Sequence, residues 1–463
     1  MVAHEMARQR LVAQYDAIPA GAPVRLAKRT SNLFRPRDRT AAPGLDVAGL
    51  DSVLSVDPVA RTADVQAMTT YEKLVDATLA HGLMPAVVPQ LKTITIGGAV
   101  TGLGIEASSF RNGLPHESVR ELEVLTGDGQ VVVADPEGPD ADLFRAFPNS
   151  YGTLGYALRL VIDLEPVHPF VRLRHVRFHD LDELTAAIGS IVAERSHDGE
   201  PVDFLDGTVF TADEAYLTLG SWADEAPFTS DYTGTKVYYR SIQQRSVDYL
   251  TVRDYLWRWD TDWFWCSRAF GAQNPRIRRL WPKRWLRSDV YWKLIRLENR
   301  YHVAARLDAR KGLPPRERVV QDVEIPLDRT ADFLRWFLRE VPIEPVWLCP
   351  LRLRDDGATA LFSTAGGGTP WPLYPLRQDE TYVNVGFWST VAIEGGRADG
   401  DVNKQIEAVV AEHGGHKSLY SDAYYGPDEF WALYGGEDYH AAKKRYDPQS
   451  RLLDLYAKAV HRR

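Results

Sequence analysis

Residues 93–113 read TITIGGAVTGLGIEASSFRNG, and this stretch carries the strongest structural signal in the chain. Four glycines, Gly97, Gly98, Gly102 and Gly104, fall within eight residues. The alternating start predicts a strand that runs into a glycine-rich loop. Such a loop either brings its backbone close to a ligand or bends between two strands. The residues alone leave both interpretations open.

Part of this stretch, residues 102–107, matches the GxGxxA pattern of a dinucleotide-binding turn. In a Rossmann unit that turn opens a helix, and the N-terminus of the helix holds a pyrophosphate. Here Gly113 and Pro115 follow within about two turns and would interrupt such a helix. The match therefore does not indicate a Rossmann fold.

Two segments that follow the glycine stretch along the chain also have clear structural patterns. Residues 119–134 contain two alternating apolar runs around Gly127-Asp128-Gly129, which predicts a hairpin. Residues 149–166 read NSYGTLGYALRLVIDLEP, a Ser/Gly turn followed by a long strand. Pro166 and Pro169 then predict a domain boundary.

The order of glycine stretch, hairpin, Ser/Gly turn and strand resembles the FAD-binding domain of the vanillyl-alcohol oxidase/p-cresol methylhydroxylase (PCMH) superfamily. Within that superfamily, further motifs are similar to those of the delta-24 sterol reductase family. They are VVQDVEIP at 319–326, PVWLCP at 345–350, LYSDAYY at 419–425 and DEFW at 428–431. These motifs occur in family order from about residue 24 to the C-terminus.

The resemblance implies an α+β fold with three parts. A two-lobe PCMH-type FAD-binding domain would occupy residues 1–168. A cap or substrate domain with a central antiparallel sheet would occupy residues 169–395. Residues 396–463 would form a C-terminal segment that returns to the flavin.

The resemblance also implies an activity. We expect an FAD-dependent oxidoreductase that uses NADPH to reduce a carbon–carbon double bond in a sterol-like side chain. Two alternatives stay open. One is an FAD-dependent oxidase of another lipid or alcohol that uses oxygen, and the other is a lipid-binding homologue without turnover. No separate motif marks a nicotinamide site.

Three segments would hold FAD, as the resemblance implies. Their residues are Ser31 and Asn32; Pro89, Thr93, Thr95, Gly97, Gly98 and Gly102; and Glu106, Ser108, Ser109, Gly152, Thr153 and Gly155. Glu106 would either accept from a ribose hydroxyl or brace its own loop. Many members of the superfamily attach FAD through a histidine in the first segment, but no histidine lies between His4 and His81. We therefore expect non-covalent FAD, with His116 as an imperfect candidate for a link.

Reduction of a double bond needs a proton as well as a hydride, and a general acid near the working pH supplies it best. Because the C-terminal segment returns to the flavin in this superfamily, the candidate proton donors are Tyr420, Tyr424 and Lys443. Each such side chain is more often a structural aromatic residue or a surface cation. No arrangement of ligand residues predicts a metal site.

Residues 245–300 form a basic aromatic segment. They contain 13 lysine or arginine and six acidic residues, and seven of the chain's 13 tryptophans. Tryptophan together with lysine and arginine is typical of segments that lie at a membrane surface. Contact with an anionic membrane, contact between subunits and a plain core are three interpretations that the residues leave open.

Composition narrows the class of protein. The chain has 463 residues and a net charge of −8, which is unusual for a dedicated nucleic-acid binder. Two cysteines are too few for a disulfide framework. The first twenty residues lack the apolar core of a signal peptide, and no stretch reaches about 18 uninterrupted apolar residues. We therefore expect a cytoplasmic protein and leave peripheral membrane contact open.

Overall fold

The computed structural model describes residues 2–28, 34, 44–301, 306, 309–363 and 369–461. Its two large sheets follow one another along the chain. The last strand of the first sheet ends at Pro166, and the second sheet begins at Phe170. This change of sheet lies where the prolines predict a boundary, and the division into three domains stays a prediction.

The first half of the chain forms a mainly antiparallel sheet with short helices. Its elements are α1 (Val2–Asp16), β1 (Arg25–Leu26), β2 (Gly44–Leu45), β3 (Val53–Asp57), β4 (Thr62–Gln66), α2 (Tyr71–Leu79), β5 (Leu83–Pro85), α3 (Ile96–Thr101), α4 (Ser109–Asn112), β6 (Val119–Thr126), β7 (Val131–Ala134), α5 (Ala141–Ala146) and β8 (Gly155–Pro166). The strand order is β3-β4-β8-β6-β7, and β5 also pairs with β8. The predicted hairpin is present, since β6 and β7 pair with Leu125 opposite Val131.

The second half forms a larger sheet. Its elements are β9 (Phe170–Phe178), α6 (Leu181–Glu194), β10 (Ser196–His197), β11 (Glu200–Pro201), β12 (Phe204–Thr211), β13 (Glu214–Ala223), α7 (Tyr238–Ser241), β14 (Val247–Thr251), α8 (Val252–Leu256), α9 (Pro275–Leu280), α10 (Ser288–Tyr301), β15 (Arg316–Pro326), α11 (Leu327–Glu340), β16 (Val346–Arg352), α12 (Gly357–Phe362), β17 (Thr381–Ala392), α13 (Asp401–Glu412), β18 (His416–Lys417), α14 (Pro427–Leu433), α15 (Gly436–Tyr446) and α16 (Leu455–Ala459). The strand order is β14-β9-β13-β12-β16-β17-β15-β18, with antiparallel pairing throughout. The predicted α+β class is confirmed.

Successive side chains along each strand point to opposite faces of the second sheet, and both faces are packed. On β16, Leu348 packs with the apolar faces of α6 and α11, whereas Trp347 and Cys349 belong to the other core. That other core also contains many apolar residues of the first sheet and four buried tryptophans of the basic aromatic segment, Trp257, Trp259, Trp263 and Trp265. Helices thus cover one face of the second sheet, and the other face is turned toward the first half of the chain.

The edge strand β18 comes from the far end of the chain. It pairs with β15, with Lys417 opposite Val323. This pairing brings the loop that follows residue 417 alongside β15. The predicted return of the C-terminal segment therefore begins with a strand added to the second sheet.

The glycine stretch differs from its predicted structure. Thr95 forms only an isolated bridge with Thr70, and helix α3 begins at the next residue. Thr95 caps this helix, because its Oγ1 accepts from the Gly98 amide at 3.2 Å. The Gly97 amide donates to the Ala67 carbonyl at 2.9 Å. The predicted strand and open loop are wrong here, since a side-chain cap starts a helix before a strand ladder can form.

Candidate functional site

A cavity of about 780 Å³ is lined by residues from both halves of the chain. This volume is in the range of small-molecule and cofactor sites. Eight of the site residues predicted from the sequence line it: Pro89, Thr95, Gly97, Gly98, Gly102, Gly152, Gly155 and Tyr420. The structure thus brings together glycines from two separate segments and one tyrosine from the C-terminal segment.

One part of the cavity wall combines glycines with cations. Arg25, Lys28 and Lys458 line it beside the glycine stretch. A β-carbon added at Gly98 would lie 2.8 Å from Oγ1 of Thr95 and 3.3 Å from Nζ of Lys28. Absence of a side chain at Gly98 therefore leaves room for the ammonium group of Lys28 close to the backbone. This part of the wall suits a ligand with negatively charged groups.

Gln90 adds a polar group to the same cavity. Its side chain is buried, and its Nε2 has no hydrogen-bond partner among the described residues. Buried amide groups in proteins are nearly always hydrogen-bonded. A polar ligand in the cavity would satisfy this donor, so the wall fits a cofactor that carries acceptor groups.

Another part of the wall is aromatic. Phe34, Trp263, Phe264, Trp347 and Trp388 line it. Phe34 stacks on Trp263 with ring centroids 5.6 Å apart, and Phe264 packs on Trp388 at 4.3 Å. Such rings bury large apolar area with few degrees of freedom, so this part suits a flat ring system or a lipophilic chain.

A buried polar group interrupts the aromatic wall. The Tyr420 hydroxyl accepts from Nε1 of Trp388 at 3.0 Å and donates to the carboxylate of Asp322. Burial raises the pKa of Asp322 to about 7 and raises the pKa of Tyr420 well above its usual value. A carboxyl group that titrates near neutral pH in a cavity is a candidate proton donor.

Sequence reasoning missed Asp322. It lies within VVQDVEIP, between the apolar residues Val320 and Val323 of β15 and beside Gln321. Acidic residues in a largely apolar strand, here Asp322 and Glu324, are a usable signal, because ionised carboxyl groups rarely lie inside a sheet without a partner. The strand alternation predicts which face it occupies but does not reveal the cavity.

Three predicted cofactor residues do not line the cavity but hold their segment in place through contacts within it and with other parts of the chain. Glu106 is buried and lies 3.0 Å from the guanidinium of Arg258. Ser108 Oγ donates to the Ala86 carbonyl at 2.9 Å, and Ser109 Oγ accepts from the Glu106 amide at 3.1 Å. Of the two interpretations of Glu106, this geometry favours the brace.

Four further predicted residues are not among those that line the cavity. Thr93 is half-buried, and Thr153 Oγ1 donates to the Ser150 carbonyl at 2.7 Å. The Tyr424 amide donates to Oε2 of Glu407 at 3.0 Å. The ammonium of Lys443 is held by three backbone carbonyls and by the Asp447 carboxylate at 2.6 Å.

Lys443 is therefore not among the residues that line the cavity, where a proton donor to the substrate is predicted to lie. Its Nζ contacts the Thr153 carbonyl at 2.7 Å and so ties α15 to the first half of the chain. Predicted residues Ser31 and Asn32 lie outside the described residues. Tyr420 is thus the member of the predicted catalytic set that the structure places in the cavity.

None of the described residues that line the cavity is a histidine. His116 is buried against the ring of Trp371, with centroids 4.6 Å apart. Burial lowers the pKa of His116 to about 3. His4 is also buried, and its Nε2 lies 3.2 Å from Oε2 of Glu123.

The basic aromatic segment, residues 245–300, divides into a buried part and an exposed part. Trp257, Trp259, Trp263 and Trp265 are buried, as the core interpretation predicts. Beyond residue 274 the surface is basic and apolar. Its exposed residues include Arg276, Ile277, Arg279, Leu280, Lys283, Arg284 and Trp285.

The described residues include neither a candidate metal site nor a helix that could span a membrane. No three His, Cys, Asp or Glu side chains are grouped so that they could hold a metal ion. In the same part of the chain, no helix combines the length and apolar character needed to cross a membrane.

The chain is similar to a known domain family over part of its length and to known reductases over most of it. An FAD binding domain family matches residues 15–135. The Delta(24)-sterol reductase of Arabidopsis thaliana is 26% identical over 443 residues, which are 90% of this chain and 76% of the plant protein. The Homo sapiens Delta(24)-sterol reductase is 26% identical over 426 residues, 88% of this chain and 76% of the human protein.

A bacterial relative matches a shorter region more closely. The decaprenylphosphoryl-beta-D-ribose oxidase of Mycolicibacterium smegmatis is 36% identical over 123 residues, which are 26% of each chain. The matched FAD binding domain contains Arg25, Lys28, Gln90 and the glycines of α3, which line the cavity. Residues 15–135 therefore match an FAD binding domain family, which indicates an FAD-binding oxidoreductase, and about nine tenths of the chain is similar to the Delta(24)-sterol reductases.

Proposed function

We propose that the protein uses NADPH and FAD to reduce a carbon–carbon double bond in a lipophilic, sterol-like molecule. The observation that carries this proposal is a single cavity with two kinds of wall. Glycines, cations and Gln90 suit a phosphate-bearing cofactor, whereas the aromatic residues suit a lipophilic substrate. Homology to Delta(24)-sterol reductases along most of the chain supports the substrate class.

In this proposal Arg25, Lys28 and Lys458 neutralise the phosphates of FAD, and Gln90 donates to one of its acceptors. FAD supplies the hydride chemistry when it is bound. The aromatic residues hold the substrate and keep water from the reacting double bond. Tyr420 donates the proton, because its hydroxyl lies in the cavity and Trp388 fixes its orientation.

A second candidate is an FAD-dependent oxidase of a lipid or alcohol that uses oxygen. It is favoured by the 36% identity to the mycobacterial oxidase over 123 residues. In that reaction, Tyr420 and Asp322 would accept a proton from the substrate rather than donate one. The short extent of the match, 26% of this chain, ranks this candidate below the reductase.

We also propose that the exposed part of the basic aromatic segment contacts an anionic membrane. Leu280 is 85% exposed, and Arg279 and Arg284 have no ion pair among the described residues. Trp292 of α10 packs on Trp263 with ring centroids 5.3 Å apart, and Trp263 lines the cavity. The same segment thus offers cations to lipid head groups and forms part of the wall that would take a lipid substrate.

The test separates the two half-reactions under anaerobic conditions. Reduction of the bound flavin by NADPH, followed by reoxidation with an unsaturated sterol from a panel, would support the reductase. Oxygen-dependent turnover of an alcohol without NADPH would favour the oxidase. A flavin-free protein, or a flavin that no donor reduces, would contradict both.

A further inference from the structure

We propose that Asp322 is the positioning residue that supplies the proton to Tyr420, and that the two side chains form a relay in the cavity wall. This inference rests on the proposed function, in which Tyr420 donates to the substrate. It assigns the origin of the proton to a strand residue that the motif analysis did not select.

The sheet makes room for Asp322 to face the cavity. Asp322 on β15 lies opposite Gly386 on β17. A β-carbon added at Gly386 would lie 2.5 Å from Oδ1 of Asp322, so the glycine leaves space for this carboxyl group. Asn384, two residues away on the same strand, donates from Nδ2 to Oδ1 at 3.4 Å.

Tyr420 reaches Asp322 from the loop after β18. Its hydroxyl oxygen already accepts from Nε1 of Trp388 at 3.0 Å. When Asp322 is ionised, the Tyr420 hydroxyl donates to it. When Asp322 is protonated, its O–H donates to the tyrosine oxygen, and the tyrosine hydrogen is released toward the cavity. Trp388 holds the oxygen in place in both states, so only the hydrogen positions change.

Protons and electrons balance in the proposed reduction step. Tyr420 gives its hydroxyl proton to one carbon of the substrate double bond and takes the proton of Asp322 in return. The other carbon receives the hydride, whose two electrons come from NADPH. Asp322 is left as a carboxylate and regains a proton from water before the next turnover.

The surroundings of Asp322 favour its neutral form. Burial raises its pKa to about 7, so that a proton is held at neutral pH and released close to it. Burial and the charge of Asp322 also raise the pKa of Glu324 well above its usual value, which makes Glu324 a neutral neighbour. The ionisable groups near Asp322 are Glu324 on the same strand, Cys349 on β16, Lys417 with its partner Glu407 beside β18, Tyr420 itself, and Tyr151 from the first half of the chain.

The experiment compares Asp322→Asn with Glu324→Gln in the flavin-loaded protein. Both variants replace a carboxyl group of β15 by its amide, but Glu324 is buried away from the cavity, whereas Asp322 is half-buried and lines it. Infrared difference spectra between pH values about one unit below and one unit above the pKa of about 7 report the carboxyl groups that titrate there. Glu106 and Glu117 also have pKa values raised to about 7 and contribute to the carboxylic acid band of all three proteins. We expect one further component of this band to disappear at the higher pH in the wild type and in Glu324→Gln, and that component to be missing in Asp322→Asn.

A second experiment measures the rate at which an unsaturated sterol reoxidises the reduced protein in a single turnover. We expect Asp322→Asn to slow reoxidation by about 10²–10⁴-fold, which is the usual effect of removing a general acid. In the wild type the reoxidation rate should decline above pH 7 as Asp322 loses its proton, and this decline should be absent from the variant. Reduction of the flavin by NADPH should keep its wild-type rate. Glu324→Gln should retain the wild-type pH profile.

Two results would overturn the inference. One is an infrared titration that is the same in the wild type and Asp322→Asn, and the other is an unchanged pH profile of reoxidation in that variant. If no unsaturated lipid reoxidises the wild type, the proposed function fails. The infrared titration would then still decide whether Asp322 holds a proton, because it requires no substrate.

Discussion

The Nη2 atom of Arg258 lies 3.0 Å from Oε1 of Glu106, and both side chains are shielded from solvent. Glu106 belongs to the glycine stretch and Arg258 to the basic aromatic segment, so this ion pair joins two parts of the chain that surround the cavity. The same nitrogen lies 3.0 Å from Asp206, which also accepts from the indole groups of Trp259 and Trp347. One arginine thus compensates two buried carboxyl groups.

Replacement of Arg258 by methionine should destabilise the fold strongly. It leaves Glu106 and Asp206 buried without their cation, and loss of one partner of a buried ion pair costs about 3–5 kcal/mol. We expect a large fall in the urea midpoint. Arg335→Met is the control, because this exposed arginine pairs with Asp182 at the surface, where a pair contributes about 0–1 kcal/mol. Equal midpoints for the two variants would contradict the importance of the buried cluster.

Glu106 should make stability depend on pH. Burial raises its pKa from 4.5 to about 7. Between these values the folded chain holds a proton that the unfolded chain has released. The resulting stabilisation is therefore present at low pH and is lost as the pH rises through 7. Glu106→Gln stays neutral, so we expect the urea midpoint of the wild type to fall relative to that of the variant over this interval.

The exposed residue Glu137 provides the control for this measurement. Glu137→Gln removes a carboxyl group without touching a buried pair, so its urea midpoint should follow that of the wild type across the pH range. Parallel curves for the wild type and Glu106→Gln would show that Glu106 does not retain its proton in the folded state.

FAD should be released when the protein is denatured. The described cavity wall contains no histidine, and His116 is buried against Trp371. Acid precipitation should leave the yellow chromophore in the supernatant, with its full absorbance recovered there. A chromophore that remains with the pellet would indicate a covalent link, and mass spectrometry of the peptide around His116 would then locate it.

Gly98→Val should weaken FAD binding. A β-carbon at this position would lie 2.8 Å from Thr95 and 3.3 Å from Lys28, so the branched side chain would push both away from the cavity. Overpacking of this kind costs about 1–3 kcal/mol, which corresponds to a rise of about fivefold to 140-fold in the Kd for FAD. Titration of the apoprotein by flavin fluorescence measures it.

The matched control is Gly234→Val. An added β-carbon at Gly234 meets no atom within 4 Å, and this glycine does not line the cavity. FAD affinity should therefore stay at the wild-type value in this variant. Wild-type affinity in Gly98→Val as well would show that α3 only bends the chain and does not shape the cofactor site.

Arg279→Glu with Arg284→Glu should abolish binding to anionic vesicles. Each cation near an anionic leaflet contributes about 1 kcal/mol, so the double variant should bind at least about 30-fold more weakly. Arg278 is not part of this surface, because it is buried and pairs with Asp262 at 2.6 Å. Co-sedimentation at low salt measures the effect, and binding of the wild type should weaken as salt rises.

The control carries the same charge change elsewhere. Arg329 and Arg339 lie on α11, which covers the far face of the second sheet. Arg329→Glu with Arg339→Glu should bind anionic vesicles like the wild type. Equal recovery of the wild type in the supernatant with anionic and neutral vesicles would leave the exposed segment as a subunit contact, which size-exclusion chromatography tests.

Several features followed from sequence alone because local physics determines them. The alternation of residues 119–134 predicts the hairpin of β6 and β7. The motif order resembles that of an FAD-binding domain, and an FAD binding domain family matches residues 15–135. Glycines 97, 98, 102, 152 and 155 were also predicted as site residues, and all of them line the cavity.

Other features depended on contacts between residues far apart in the chain. Asp322 and Tyr420 are separated by almost a hundred residues and meet only because β18 pairs with β15. Glu106 could equally have faced a ligand, and it is the burial of Arg258 beside it that makes it a brace. Burial and partner choice are properties of the packed chain, since each depends on which side chains the sheets bring within a few ångströms of one another.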